Sequence, residues 1–241
     1  MTQPSEPLLN AINEALDADT RLDIDALTIE QDADDGRITV EGVVDDVRMK
    51  RRAVNTAWSV VRGRHPITDH LRVRCQAQGE EELRDEVVRK IMGERLFAQH
   101  TLISRAGSDT EVMHDAGADA PRVEVTVAGG IVTLSGTVTS LTHRRFAEVL
   151  AWWAPGCERV DNLLEVVPPE DDNDNEITDA VRMVLEKDPL VHATQLHIGT
   201  AGGIVALEGL VATDEERHLA EQDAWYVPGV WAVVDRVEVR P

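Results

Sequence analysis

The groups in this chain that could hold a metal or move a proton are eight histidines, 45 carboxylates and two cysteines, and their spacing argues against each obvious chemistry. His65 and His70, and His192 and His197, stand five apart. That is neither the i, i+4 pair of a helix nor a same-face pair on a strand, so they read as solvated or turn histidines. The run Asp171–Glu176 opens like a calcium loop, but its sixth position is Glu176 instead of glycine and its twelfth is Arg182 instead of a bidentate glutamate. It reads as a flexible acidic linker leading into a helix. The segment HTLISRAGSDTEVMHDAGADAP, residues 100–121, holds His100, Ser104, Ser108, Asp109, His114, Asp115 and Asp119. A hydrolase set could be drawn from these, yet nothing marks a nucleophile elbow or a positioned base, and a polar, mobile loop is expected. The pairs Gly129–Gly130 and Gly202–Gly203 lack the G-x-G-x-x-G spacing and signal a turn, not a phosphate cradle. Cys75 and Cys157 make neither a disulfide framework nor a metal cluster, and fit a reducing cytosol. The expectation is no enzyme, no cofactor and no metal.

Charge is more informative. Twenty-four cations against 45 acids leave a formal charge of −21, which argues against nucleic acid and against wholesale binding to an anionic bilayer. Only Lys50, Lys90 and Lys187 are lysines. Such an acidic, lysine-poor surface suits concentrated salt, and equally suits a GC-rich genome. The cations are unevenly spread. Residues 1–45 carry twelve acids with only Arg21 and Arg37. Residues 46–74 carry Arg48, Lys50, Arg51, Arg52, Arg62, Arg64, Arg72 and Arg74 against Asp46 and Asp69. This segment is either a solvated face pairing with acidic partners in the first half or the third repeat, or a patch for anionic headgroups or a phosphate-bearing partner.

These residues sit on a repeated frame. Sliding the chain by 73 residues aligns Gly129–Val166 with Gly202–Val239 without a gap, and 17 of the 38 positions are identical. A weaker third copy, Asp35–Val44, carries Gly42 onto Gly136, Ala53 onto Ala147 and Trp58 onto Trp152 at an offset of 94. Upstream, Leu8, Ile12 and Leu16 recur as Leu83, Val87 and Ile91, then as Ile177, Val181 and Leu185. Spacing of i, i+4, i+8 draws one apolar stripe along a helix. Leu27 and Ile29, Val123 and Val125, and Leu196 and Ile198 alternate as strands, the middle pair arriving late because of the insertion. A glycine turn and second strand follow. The second helix opens at Asp46, Ser140 or Thr213, where Thr213 and Glu216 spell a capping box. It stops at Gly63, Pro155–Gly156 or Pro228–Gly229, and last strands run around Ile67–Val73, Val160–Val167 and Val233–Val239.

The fold class expected is α+β: three tandem small domains, each α-β-β-α-β, with a three-stranded sheet covered on one face by two helices. Their limits are 5–75, 82–168 with an insertion at about 100–121, and 175–241. No stretch approaches eighteen apolar residues, so no transmembrane segment is expected. The first twenty residues show no basic region followed by an apolar run, so no signal peptide is expected and the placement is cytoplasmic.

The phrase GGIVTLSGTV, a helix with spaced alanines, then APG and a V-x-N-x-L-x-V strand resembles the BON family, named after bacterial osmotically induced and nodulation proteins. The matching residues are Gly130, Val132, Leu134, Gly136 and Val138, then Ala147, Ala151, Pro155, Gly156, Val160, Asn162, Leu164 and Val166. The third copy matches nearly as well, with Asp235 in place of Asn162, whereas the first replaces Pro-Gly by VVRGRHP. The resemblance implies a non-catalytic module, of a kind discussed as binding phospholipid or membrane surfaces in envelope and stress proteins. It also implies an alternative, a cytosolic potassium-responsive protein holding its cation by backbone carbonyls.

Two features stand as binding candidates. One is the basic segment, above all Arg48, Lys50, Arg51, Arg52, Arg62 and Arg64. The other is a tryptophan five residues after the first stripe alanine in every copy: Trp58, Trp152 and Trp225. Five residues rotate about 140° around a helix, off the centre of the buried face. These rings either pack on the first helix or a neighbouring repeat, or anchor the protein at a membrane or partner surface. The expected partners are membrane lipid headgroups or another protein, and the chain is read as a binding or scaffold protein linked to osmotic or envelope stress. Its oligomeric state is not set by the sequence.

Overall fold

The computed structural model describes residues 6–240, so the expected domain limits at 5 and 241 lie outside the described residues. The chain forms two compact units, residues 1–74 and 75–241.

The first unit is one repeat. Helix α1 (Glu6–Asp17) leads to strands β1 (Leu27–Gln31) and β2 (Ile38–Val44), then helix α2 (Val47–Val61) and strand β3 (Ile67–Val73). The sheet order is β1-β2-β3, with β1 antiparallel and β3 parallel to β2. Ile12 and Leu16 of α1, Ala53, Ala57 and Val61 of α2, and Ile38, Val40 and Leu71 of the sheet close one buried core. The alanines have no exposed surface, so α2 sits close on the strands. Asp46 caps α2 by accepting the amide hydrogen of Met49 at 2.7 Å.

The second unit holds two repeats. Helix α3 (Glu80–Met92) is followed by β4 (Thr101–Ala106), β5 (Asp109–His114), β6 (Arg122–Ala128), β7 (Ile131–Val138), helix α4 (Leu141–Trp152) and β8 (Arg159–Val166). Helix α5 (Asp174–Lys187), β9 (Leu196–Ala201), β10 (Ile204–Val211), helix α6 (Asp214–Tyr226) and β11 (Ala232–Val239) complete it. The third repeat has the expected three strands, ordered β11-β10-β9, and the second has five, ordered β5-β4-β6-β7-β8. Ser140 and Thr213 cap α4 and α6 as the sequence implied. The capping box is altered, however: the Glu216 carboxylate accepts from the Ala212 and His192 amides at 3.0 and 2.8 Å.

Two expectations are corrected. Residues 100–121 are not a loop but chiefly a β-hairpin, added as two strands beside β6. Ser104 takes an inward position on β4 and β5 is an exposed edge, so neither strand shows an apolar alternation. The acidic run after Val167 is also tethered. Glu170 accepts the Leu141 amide at 2.7 Å, Asn173 caps α5, and Asp174 accepts the Gly202 and Gly203 amides at 2.7 and 2.9 Å.

One glycine decides the hairpin in each repeat. A Cβ on Gly42, Gly136 or Gly209 would stand 2.1 Å from the carbonyl oxygen of Ala26, Arg122 or Gln195, and φ there is +143, +112 and +142°. No side chain fits that approach or that conformation. Gly209→Ala is therefore expected to destabilise the second unit by about 1–3 kcal/mol or more. Urea unfolding followed by circular dichroism would read this as a lower midpoint, and an unchanged midpoint would refute it.

Candidate functional site

The basic segment of the first unit divides on inspection into cations held by the fold and cations left at its surface. The Lys50 side chain is 5% exposed and its ammonium donates to Asp69 at 2.5 Å and to the Leu71 carbonyl at 2.8 Å. Arg52 reaches Asp19 at 2.6 and 2.9 Å, and Arg48 reaches Asp46 at 3.3 Å. Burial works against the Asp19 carboxylate, but hydrogen bonds from Arg52 and Arg21 hold it below the usual range. Arg74 pairs with Asp45. Pairing with the acids of its own repeat thus accounts for at least half of the segment's eight cations. Arg51 is half-buried on α2.

Arg62 and Arg64 differ. Both are exposed, and Arg62 ends α2 in the left-handed conformation, donating its amide to Trp58 at 2.8 Å. Arg64 donates to the Val61 carbonyl through its side chain at 3.3 Å. Trp58, 41% exposed, lies one turn before Arg62. The C-terminal end of α2 therefore carries an exposed aromatic ring and, just after it, two exposed cations.

The structure does not bring the three repeated tryptophans to one kind of surface. Trp152 and Trp225 are buried, at 7% and 1% exposure, so they have no ring face to offer as a surface anchor. They follow the packing reading, while Trp58 keeps the surface reading open. Trp152 and Trp153 line a cleft of about 380 Å³ with Lys90, Asp188, Pro189 and Tyr226, where the second and third repeats meet. Trp153 also packs edge-on against Phe146 at 6.5 Å.

Sequence reasoning passed over two buried polar groups in the second unit, Arg145 and Asp223, and placed a third, His100, in a mobile loop. Arg145, 4% exposed on α4, donates to both carboxylate oxygens of Asp172 at 2.5 and 2.7 Å and to the Pro228 carbonyl at 3.0 Å. It ties the second repeat to the third. Asp223, 3% exposed on α6, has its carboxyl pushed up to about 8 by burial and by Asp188, against a hydrogen bond from Trp153. His100, 2% exposed, lies beside the rings of His143 and Phe97 at 4.7 and 5.5 Å. Burial and then His143 push it down to about 4. Among the described residues no group of three His, Cys, Asp or Glu is arranged to hold a metal, and no helix is long and apolar enough to cross a membrane.

The family model "BON domain" matches residues 6–75, 110–168 and 173–241. The chain belongs to the BON family. The middle match begins only at 110, inside the hairpin that this BON domain adds. No curated protein matches the chain. Among solved structures it is similar to the C-terminal domain of CdsD, the structural protein of the Type III secretion system of Chlamydia trachomatis. That similarity has 13% identity and a TM-score of 0.26, covering 98% of this chain and 99% of that one. A second structure of CdsD gives 14% identity, a TM-score of 0.26, and coverage of 98% and 93%. A fit that loose says nothing of how this BON protein works.

The misses have physical causes. Arg145, His100 and Asp223 carry no repeat signature: their counterparts in the aligned copies differ, as with His218 for Arg145 and Leu150 for Asp223. For Arg145 and Asp223 the available signal was a polar residue on a helix face otherwise apolar, whereas His100 lies in the turn before β4, outside any helix.

Asp223 has a pH consequence. Its folded pKa lies above the unfolded value of about 3.9, so the fold binds that proton more tightly than the unfolded chain does. Stability from this group is full at low pH and is lost as pH rises towards 8. Asp223→Asn, which keeps the shape without the charge, is expected to raise the melting temperature at pH 8–9 clearly more than at pH 5, because the loss accumulates between the unfolded value of about 3.9 and about 8. Equal shifts at both pH values would refute the assignment.

Proposed function

We propose that this BON protein is a non-catalytic scaffold that meets an anionic phospholipid surface through its first repeat. The observation that carries the reading is the end of α2, where Trp58, Arg62 and Arg64 are all exposed within seven residues. Residues 1–74 hold ten of the chain's 24 cations and 14 of its 45 acids, so the first unit is far less acidic than the rest. A ring that can sit at the headgroup level beside two guanidinium groups suits a phosphate-bearing surface. The net charge of −21 keeps such binding local and salt-sensitive. Family membership supports a binding module and, more loosely, a link to osmotic or envelope stress. A cytoplasmic placement is part of the same reading: Cys75 and Cys157 are free thiols, the first exposed, as a reducing compartment allows.

The test is sedimentation with vesicles of phosphatidylglycerol and phosphatidylcholine. The full chain is expected to pellet with the anionic vesicles, less as salt rises, and not with the neutral ones. Trp58→Ala with Arg62→Glu and Arg64→Glu should abolish pelleting while leaving the circular dichroism and melting curve intact. Lys50→Met, by contrast, should destabilise the first unit by about 1–3 kcal/mol, because it leaves Asp69 without its buried partner. Pelleting that ignores salt and the triple variant would overturn the lipid reading, and capture of a protein by the same surface would replace it.

A further inference from the structure

The second repeat contains a cavity that its sister repeats have no parts to build. Its volume is about 140 Å³, and it is lined by Ile91 and Met92 from the end of α3, Phe97 and Ala98 from the turn that follows, His100, Leu102 of β4, His114 of β5, and Val123 of β6. Only Ile91, Met92 and Val123 have counterparts in the common frame. The rest belong to the turn and hairpin between α3 and β6. In the third repeat a single turn, Ala193–Gln195, leads straight into β9.

The cavity wall is apolar except for histidine. His114 uses Nε2 on the Ala98 carbonyl at 3.2 Å. His143, behind His100, is also satisfied. Its Nε2 donates to the Leu96 carbonyl at 3.0 Å, which fixes the tautomer, and its Nδ1 then accepts from the Ser140 hydroxyl at 2.6 Å. His100 is different: it lines the cavity, is 2% exposed, and has no hydrogen-bond partner at either ring nitrogen. A buried imidazole with both nitrogens unmatched carries a desolvation cost that a ligand's polar atom would remove.

We propose that this cavity is a binding site for a small neutral ring compound bearing one hydroxyl group, which hydrogen-bonds the His100 imidazole.

Three observations select that class. The volume is close to the roughly 150 Å³ that accommodates one benzene-sized ring. The wall offers the Phe97 ring and aliphatic side chains, which favour a flat apolar body. Of the two histidines in the wall only His100 has ring nitrogens to spare, and its imidazole can both donate to and accept from a hydroxyl, while no lysine or arginine lines the wall to hold an anion. Of the lining residues Met92, 49% exposed, and Ala98 reach the surface, and the entry we infer beside them lets a ligand in without opening the core.

Phenol and benzene serve as probes, followed by ¹H–¹³C NMR of the Met92 methyl and the histidine Cε1–H groups in the full chain. Phenol is expected to shift the His100 and Met92 signals saturably. His100→Leu should weaken phenol at least about tenfold, a loss on the scale of one buried hydrogen bond, while benzene binds that variant no more weakly than the wild type. Ala98→Trp plugs the mouth from an exposed position, so the fold is kept, and should abolish binding of both probes. The proposal is overturned if phenol leaves the wild-type signals unmoved up to its solubility limit, or if His100→Leu binds phenol as well as wild type does. Undiminished binding to Ala98→Trp would overturn it as well, since the probe would then sit elsewhere.

Discussion

Everything in the fold hangs on the approach of a carbonyl to a glycine. In each repeat the chain crosses the second strand where a Cβ would stand 2.1 Å from a carbonyl oxygen, and only glycine leaves room. That contact fixes the pairing Leu27 with Gly42, Val123 with Gly136, and Leu196 with Gly209. A slip by one residue would turn every side chain to the other face. With the register held, Ile38 and Val40, Val132 and Leu134, and Val205 and Leu207 all point at the helices. The alanines at 53 and 57, 147 and 151, and 220 and 224 then let the second helix settle on that face. Glycine in the strand and alanine on the helix are two halves of one packing solution, written three times.

The repeats are used differently once built. The first stands as its own unit, and Arg48, Lys50, Arg52 and Arg74 pair with acids of that same repeat. The second and third form one unit through Arg145, whose guanidinium bridges α4 to Asp172 and Pro228. Buried polar groups of this kind are poor sources of net stability but good sources of specificity. Here Arg145 gives the pair of repeats a defined junction, with Asp223 and Asp188 near the same cleft. The first repeat thus carries an exposed tryptophan with exposed arginines, and the hairpin-bearing second an enclosed cavity.

Helix stripes, strand alternation, capping residues and the Pro-Gly stops were all legible, because each is a local rule and three copies confirm one another. Asp46, Ser140 and Thr213 cap their helices as their residue types imply. The hairpin at 101–114 was not legible. Ser104 occupies an inward position and β5 is an edge exposed except at His114, so the period-two signal that marks a strand is missing. β4 is a strand because it pairs with β6, each residue with one 21 positions further on, and β5 then pairs back on β4.

The tryptophans mark the same boundary. One offset, repeated three times, produced one exposed ring and two buried ones. The sequence by itself determined the family, the repeat unit, the order of elements and the residues that must be small, since these follow from periodicity and sterics within a single repeat. Tertiary structure alone decided which cations are spent on internal carboxylates, which tryptophan keeps a face to solvent, and that His100 ends beside a cavity with nothing to bond. Those outcomes depend on residues far apart in the chain, and no local pattern encodes the distance between them.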